Sequence, residues 1–172
     1  MVDSFNEKEG VVFLDRDGVI NKDIPGDYVK FWEEFKFLPG VKKAMKLLKE
    51  HKLRVIVITN QSVVGRGIIS EAKLKEIHKK MVEEIAKTGG SIAAIYYCPH
   101  RPDENCNCRK PKIGLFEKAA KDFKINFKKS WMIGDNQKDI EAGEKMGWKT
   151  YQISKSKGLL EIVKIILKEI EE

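Results

Sequence analysis

Apolar residues form two recurring patterns along the chain, and together these patterns predict alternating strands and helices. Unbroken apolar runs predict buried strands at 11–14, 53–58, 92–98 and 131–133, with a last strand at 149–153. Apolar residues at helical spacing predict five helices: one from Val41, one after Ser70 as N-cap, one around 116–123, one from about Asp139 and one from Leu159. The alternation predicts an α/β fold with a parallel sheet and helices on both faces.

The segment 19–39 departs from both patterns, because proline and glycine interrupt it and several aromatic residues lie within it. We expect an ordered loop over the strand ends, with most of its aromatic side chains packed in a small core. The length of 172 residues predicts a single domain over 1–172. His51 and His78 lie among lysines on predicted helices and are expected at the surface, without a role.

Charge and composition narrow the class of protein. The chain carries 33 Lys and Arg against 26 Asp and Glu, a net charge of +7. These charges are interspersed along helical stretches, which indicates solvated faces, and no basic stripe with interleaved aromatics indicates a nucleic-acid-binding surface. No apolar run is long enough to span a membrane, and residues 1–10 lack the apolar core of a signal peptide. We therefore expect a cytoplasmic monomer that binds neither nucleic acid nor membranes.

Polar clusters follow the predicted strands. They are Asp15-Arg16-Asp17, Thr59-Asn60-Gln61-Ser62, Arg109-Lys110, and Asp135 with Asp139. Because the carboxyl ends of parallel strands share one edge of a sheet, we expect these clusters to converge. Paired carboxylates for Mg²⁺, a lysine point charge and a bidentate arginine are the parts that phosphoryl transfer needs. Taken singly, each cluster is also compatible with a turn, a pair of loop charges or a helix cap.

A third feature is the cysteine-rich loop. All three cysteines lie within residues 98–108, and Cys98, His100, Cys106 and Cys108 offer four sulfur or nitrogen donors. Four such donors complete a tetrahedral structural Zn²⁺ site. A loop of free thiols with a surface histidine is the alternative. A bound Zn²⁺ would hold the loop so that the two cations that follow it face the edge of the sheet.

The combined motifs resemble the haloacid dehalogenase superfamily over residues 11–148, and more narrowly its D-glycero-D-manno-heptose 1,7-bisphosphate phosphatases and the related histidinol-phosphate phosphatases. The motif residues are Asp15–Asn21, Thr59–Ser62 with Gly65-Arg66-Gly67, Cys98-Pro99-His100 through Cys108–Pro111, and Gly134-Asp135 with Asp139–Gly143. The resemblance implies a Rossmann-like haloacid dehalogenase fold, and the insert between Gly18 and Gly40 is too short for a large cap domain, so the site should stay fairly open. It also implies a Mg²⁺-dependent phosphomonoester hydrolase that works through an aspartyl-phosphate and carries a structural Zn²⁺.

The resemblance also implies roles for individual residues. Asp15 would be the nucleophile and Asp17 the general acid and base. Asp15, the backbone carbonyl of Asp17, and Asp135 would hold Mg²⁺, while Thr59 and Lys110 would stabilise the transferring phosphoryl group. The zinc ligands would be Cys98, His100, Cys106 and Cys108. The expected substrate contacts are Asp23, Tyr28, Asn60, Gln61, Ser62, Arg66 and Arg109.

We expect a small phosphorylated sugar as substrate, but its identity is less sharply indicated than the reaction. Asn21 and Arg66 favour removal of the C7 phosphate from the heptose bisphosphate. The five residues between His100 and Cys106 also suit histidinol-phosphate phosphatases, so that substrate stays open. Asn136 stands where the heptose enzymes often carry lysine. A hypothesis of another class is a zinc-stabilised phosphate-binding module without turnover, which would not need Asp15.

Overall fold

The computed structural model describes residues 10–172, and its central feature is a five-stranded parallel sheet with the strand order β3-β2-β1-β4-β5. The strands are β1 (Val11–Leu14), β2 (Arg54–Asn60), β3 (Ala94–Cys98), β4 (Ser130–Gly134) and β5 (Lys149–Gln152). The chain winds from β1 to β2 and β3 on one side, then crosses to β4 and β5 on the other. This reversal places a crevice at the carboxyl end of β1, where open α/β sheets bind ligands.

The helices connect the strands in the predicted order. They are α1 (Val41–Glu50), α2 (Ser62–Gly65), α3 (Glu71–Lys87), α4 (Gly114–Phe123), α5 (Gln137–Lys145) and α6 (Leu159–Glu171), with 3₁₀ turns at Trp32–Glu34, Pro102–Glu104 and Phe127–Lys129. Ser70 is the N-cap of α3, as predicted, and its side chain accepts a hydrogen bond from the Lys73 amide at 3.1 Å. The short helix α2 was not predicted. Helix α5 begins at Gln137 rather than Asp139, since Asn136 caps it.

Alternating side chains of β1 pack into two hydrophobic cores, one on each face of the sheet. Val12 and Leu14 pack into the core under α1, α3 and α6, whereas Val11 and Phe13 pack into the core under α4 and α5. The Phe13 ring stacks on Trp148 with centroids 4.1 Å apart. Burial on both faces explains why the sequence of β1 is an unbroken apolar run.

The segment 19–39 forms the small aromatic core predicted for it. The Trp32 and Phe35 rings stack with centroids 4.9 Å apart, and Phe37 meets Phe35 edge-on at 5.1 Å. This cluster packs against the core under α1, α3 and α6. It therefore anchors the loop that covers the end of β1.

One expectation about a histidine is wrong. His51 is exposed, as predicted, but His78 is only 5% exposed because it lies on the inner face of α3 with Leu74 and Ile77. The prediction for residues 1–10 falls almost wholly outside the described residues, and a single domain over the whole chain stays a prediction for the same reason. No helix in the described part of the chain is long and apolar enough to cross a bilayer.

Candidate active site

The carboxyl end of β1 opens into a cavity of about 270 Å³. Asp15 is the first residue after β1, and its amide donates to the Ile133 carbonyl of β4 at 3.1 Å. The cavity is lined by Asp15, Asp17, Asp23, Asp27, Tyr28, Asn60, Ser62, Arg66, Arg109, Lys110, Asp135, Asn136, Lys138 and Asp139. Residues from all four predicted polar clusters thus meet around one cavity.

Lys110 lies at the centre of the site and is almost completely buried. Its Nζ is 3.0 Å from Asp15 Oδ1 and 2.6 Å from Asp139 Oδ1, and it donates to the Ile58 carbonyl at 2.7 Å. Burial alone would lower the pKa of Lys110, but the charges of Asp15 and Asp139 outweigh it and the pKa is raised. Lys110 is therefore a permanent cation beside the Asp15 carboxylate.

Asn60 holds the backbone of Lys110 in place. Its Oδ1 accepts from the Lys110 amide at 3.0 Å, and its Nδ2 donates to the Lys110 carbonyl at 3.2 Å. This reciprocal pair ties the end of β2 to the loop that follows the cysteines, although the two residues are fifty positions apart in sequence. Asn60 thus positions the lysine while also lining the cavity.

Three carboxylates converge beside Lys110, with one oxygen each of Asp15, Asp135 and Asp139 within 4.8 Å of one another. Burial, with the neighbouring Asp139 charge, raises the pKa of Asp15 to about 7 and that of Asp135 to about 6. When all three carboxylates are ionised, their charge exceeds that of Lys110, and hard oxygen donors of this kind fit Mg²⁺. Asp139 was placed in this cluster from the sequence, but its buried pairing with Lys110 was not predicted.

Gly18 lets Asp135 reach this cluster. Its φ is +81°, and a Cβ at this position would lie 2.0 Å from Asp135 Oδ2. No side chain fits in that space, so the turn after Asp17 requires glycine for both conformation and room. The glycine that ends the Asp-Arg-Asp-Gly motif is therefore explained by the close approach of the Asp135 carboxylate.

Asp17 is held in a different environment from Asp15. Its Oδ1 accepts from Arg16 Nη2 at 2.8 Å and Asn21 Nδ2 at 2.9 Å, and its Oδ2 accepts from Gln61 Nε2 at 2.8 Å. Burial would raise the pKa of Asp17, but the Arg16 charge and these hydrogen bonds hold the pKa below its usual value. The two aspartates, two residues apart, thus have opposite pKa shifts.

The residues predicted as substrate contacts divide into two groups. Asp23, Tyr28, Asn60, Ser62, Arg66 and Arg109 line the cavity. Gln61 and Thr59 are buried behind it, and Gln61 Nε2 also donates to Thr59 Oγ1 at 2.9 Å. Gln61 therefore links Thr59 to Asp17. That Gln61 contacts the substrate and that Thr59 stabilises the transferring phosphoryl group both stay predictions.

The cysteine loop brings its four candidate ligands together. The Cys98, Cys106 and Cys108 sulfurs and a ring nitrogen of His100 lie within 4.8 Å of one another. Cys98 Sγ is 3.5 Å from Cys106 Sγ and 3.2 Å from Cys108 Sγ. Three thiols and one imidazole around one point fit a tetrahedral structural Zn²⁺. Arg109 follows immediately, and its Nη1 donates to the His100 carbonyl at 3.4 Å.

Sequence reasoning missed two residues that support the site, Arg16 and His78. Arg16 was identified only as part of a charged cluster, yet its side chain is fully buried and donates a hydrogen bond to Asp17. A signal for His78 was present, since position 78 lies four residues after Leu74 and three before Met81 on the apolar stripe of α3. Its partner, Arg16, is 62 residues away and could not be inferred from local pattern.

Comparisons with known proteins agree with the geometry. A family model described as HAD-hydrolase-like matches residues 107–159. The D-glycero-beta-D-manno-heptose-1,7-bisphosphate 7-phosphatase of Pseudomonas putida is 38% identical, and the match covers 86% of this chain and 84% of that protein. The protein of the same name from Haemophilus ducreyi is 40% identical, over 81% of this chain and 79% of that protein.

Solved structures extend the similarity to three dimensions. A crystal structure of D,D-heptose 1,7-bisphosphate phosphatase from B. bronchiseptica, complexed with magnesium and phosphate, is 30% identical with a TM-score of 0.81. It matches over 93% of this chain and 99% of that one. The phosphatase of the same name from Burkholderia thailandensis has a TM-score of 0.67 at 27% identity, over 92% and 99% of the two chains. This chain is therefore an enzyme of the haloacid dehalogenase-like hydrolases and belongs to the D-glycero-D-manno-heptose-1,7-bisphosphate 7-phosphatase family.

Proposed function

We propose that this protein removes the C7 phosphate from D-glycero-D-manno-heptose 1,7-bisphosphate in a Mg²⁺-dependent reaction through a phosphorylated Asp15. The observation that carries the proposal is the position of Asp15, at the cavity wall between the buried Lys110 cation and the Asp135 and Asp139 carboxylates. The names of the Pseudomonas putida and Haemophilus ducreyi relatives support the substrate.

The hydrogen bonds of Asp15 leave one oxygen for attack. Oδ1 accepts from the Arg16 amide at 2.8 Å and lies 3.0 Å from Lys110 Nζ. Oδ2 would form the new bond to phosphorus while the bond from phosphorus to the sugar oxygen breaks. Lys110 offsets the negative charge that gathers on the phosphoryl oxygens, in a buried setting where such an interaction is strong.

Asp17 would supply the proton that the departing sugar oxygen needs. Its pKa is low in the free enzyme, but a dianionic phosphate entering the cavity would raise it, since like charges disfavour ionisation. In the second step the ionised Asp17 would accept a proton from water as the water oxygen attacks phosphorus. The Asp15–phosphorus bond then breaks, and inorganic phosphate leaves with the carboxylate restored.

Asp15 and Asp135, with the Asp17 backbone carbonyl, would hold Mg²⁺. When bound, this ion would neutralise phosphoryl oxygens and let the phosphate dianion approach the carboxylates. The Asp15 and Asp135 carboxyls have raised pKa values, so they must lose their protons to accept the ion.

Three cations in the cavity lining favour a substrate with a second phosphate. Arg66, Arg109 and Lys138 line the cavity, and none of their side chains forms an ion pair with a described carboxylate. These cations are therefore available to bind the second phosphate of a bisphosphate. They also suit histidinol phosphate less well, because its ammonium group is positive.

Comparing substrates tests the proposal. We expect kcat/KM for the heptose bisphosphate to exceed that for histidinol phosphate by about 100-fold or more, a few kcal/mol of transition-state binding. The heptose 7-monophosphate should fall between them, because it lacks the distal phosphate. The measurement is phosphate release at saturating Mg²⁺. A preference for histidinol phosphate would overturn the substrate and leave the reaction intact, whereas no turnover of any phosphomonoester would overturn the phosphatase proposal.

We also propose that the cysteine loop binds a structural Zn²⁺, because its four donors leave no position for a catalytic water. Removal of the metal with a strong chelator should raise hydrogen exchange in residues 98–111 while the exchange of β1 and β4 stays slow. Substrate handling should weaken, since Arg109 and Lys110 follow the last ligand. Unfolding of the whole sheet at the rate of zinc loss would contradict this prediction. A purified protein that contains no zinc, and whose loop exchange does not change with chelator, would contradict it as well.

A further inference from the structure

The Arg16 guanidinium is completely enclosed, and each of its nitrogens has a partner. Nε and Nη2 donate to Asp17 Oδ1 at 3.3 and 2.8 Å, while Nη1 lies 3.0 Å from His78 Nε2. The Phe35 ring packs below it, 5.9 Å from the guanidinium carbon. Arg16 therefore joins the Asp17 carboxylate to a histidine on α3 that lies outside the cavity lining.

The chemistry of the pair defines the state of His78. A guanidinium has only donors, so the contact is a hydrogen bond only if His78 Nε2 carries no proton and accepts. His78 is then neutral, with its proton on Nδ1. Burial, aided by the nearby Arg16 charge, lowers the pKa of His78 to about 3, which agrees with a neutral ring at neutral pH.

We propose that His78 is a positioning residue for Asp17, and that it acts by fixing the Arg16 guanidinium against the Asp17 carboxylate. The inference rests on the proposed phosphatase function. Without an acceptor at position 78, the buried Nη1 loses its partner, and the guanidinium turns toward whatever oxygen can satisfy it. Asp17 then keeps its bonds from Asn21 and Gln61, but the two bonds that Arg16 donates to Oδ1 are disturbed.

A displaced Asp17 affects substrates unequally, and this gives a readout that a general loss of stability does not. A sugar oxygen leaves only if it receives a proton, whereas p-nitrophenolate leaves without one. The variant His78→Leu should therefore lower the single-turnover rate at which the sugar phosphate phosphorylates Asp15 about tenfold, a part of the full contribution of a general acid. The rate of the same step with p-nitrophenyl phosphate should change less than about twofold, whereas the later hydrolysis of the phosphorylated Asp15 is common to both esters.

Three variants make the comparison specific. His78→Gln offers an amide oxygen as acceptor and should restore most of the sugar phosphate activity. His51→Leu, at the exposed end of α1, is the matched control and should match the wild type. In an Asp17→Asn background, His78→Leu should cause no further loss, because the residue it positions is already disabled.

Several outcomes would overturn the inference. They are an equal loss in the rate of Asp15 phosphorylation by both phosphate esters, an unchanged His78→Leu enzyme, and a further loss in the Asp17→Asn background. If His78→Leu fails to fold, nitrogen NMR of the wild type decides, since a proton on Nε2 at neutral pH would exclude the acceptor role. A wild-type protein that hydrolyses neither ester refutes the phosphatase proposal itself, a result distinct from an active enzyme that tolerates His78→Leu.

Discussion

Asp15→Asn lowers kcat for the heptose bisphosphate by about 10³-fold or more, because an amide cannot form the acyl phosphate and a nucleophile's loss removes most of the catalysis. The side chain is nearly isosteric, and Lys110 keeps its contact with Asp139 at 2.6 Å, so the protein should still fold. The measurement is steady-state phosphate release, with thermal unfolding as the check on folding.

A matched substitution separates the chemistry from the change of charge. Asp122→Asn on the exposed face of α4 removes the same charge far from the cavity and should leave kcat unchanged. Binding of inorganic phosphate in the presence of Mg²⁺ should survive in Asp15→Asn. Equal activity in wild type and Asp15→Asn would refute a phosphorylated Asp15. Phosphate binding without turnover in the wild type would instead favour the phosphate-binding module.

Lys110→Met destabilises the protein by roughly 3–5 kcal/mol, because it leaves the Asp15 and Asp139 carboxylates buried without their counter-ion. It should also abolish measurable turnover, since Lys110 is the cation that faces the phosphoryl group. Urea unfolding of wild type and Lys110→Met in buffer without Mg²⁺ measures the loss in free energy of unfolding.

The stability that Lys110→Met loses relative to wild type should depend on pH in a defined direction. Unpaired buried carboxyls keep their protons above the pKa of about 3.9 that aspartate has in unfolded chains. The folded state then binds more protons than the unfolded state, so its stability falls as pH rises above about 4. The difference from wild type should be larger at pH 8 than at pH 5. Adding Asp139→Asn should recover part of it, and a deficit independent of pH would contradict the buried-charge explanation.

The sheet and the meeting of the polar clusters were predictable because they depend on local pattern and one topological rule. The run Val11–Leu14 must be buried on both faces, and the parallel arrangement then brings the residues after β1, β2 and β4 to one edge. Register and ends were less predictable. β3 begins at Ala94 rather than Ile92, because pairing with Ile56 of β2 decides where the ladder starts.

The supporting contacts were not predictable, because they join residues distant in sequence through side-chain packing. Lys110 was expected beside the phosphate, but its pairing with a buried Asp139 depends on where α5 begins, and that depends on the Asn136 cap. The same holds for Arg16 and His78, whose contact requires the inner face of α3 to lie against the loop after β1. A charged residue that becomes buried must be paired, but the sequence does not show which residue will be its partner.

The central claim is that the phosphoryl group passes through Asp15, and its most direct test is to trap it there. Wild-type enzyme mixed with heptose bisphosphate labelled in the C7 phosphate is stopped in acid within the first turnover and digested into peptides. We predict label on the peptide that contains Val11–Gly18, at Asp15, and none in Asp15→Asn. Label on another residue, or a complete first turnover with no labelled protein, would contradict the account.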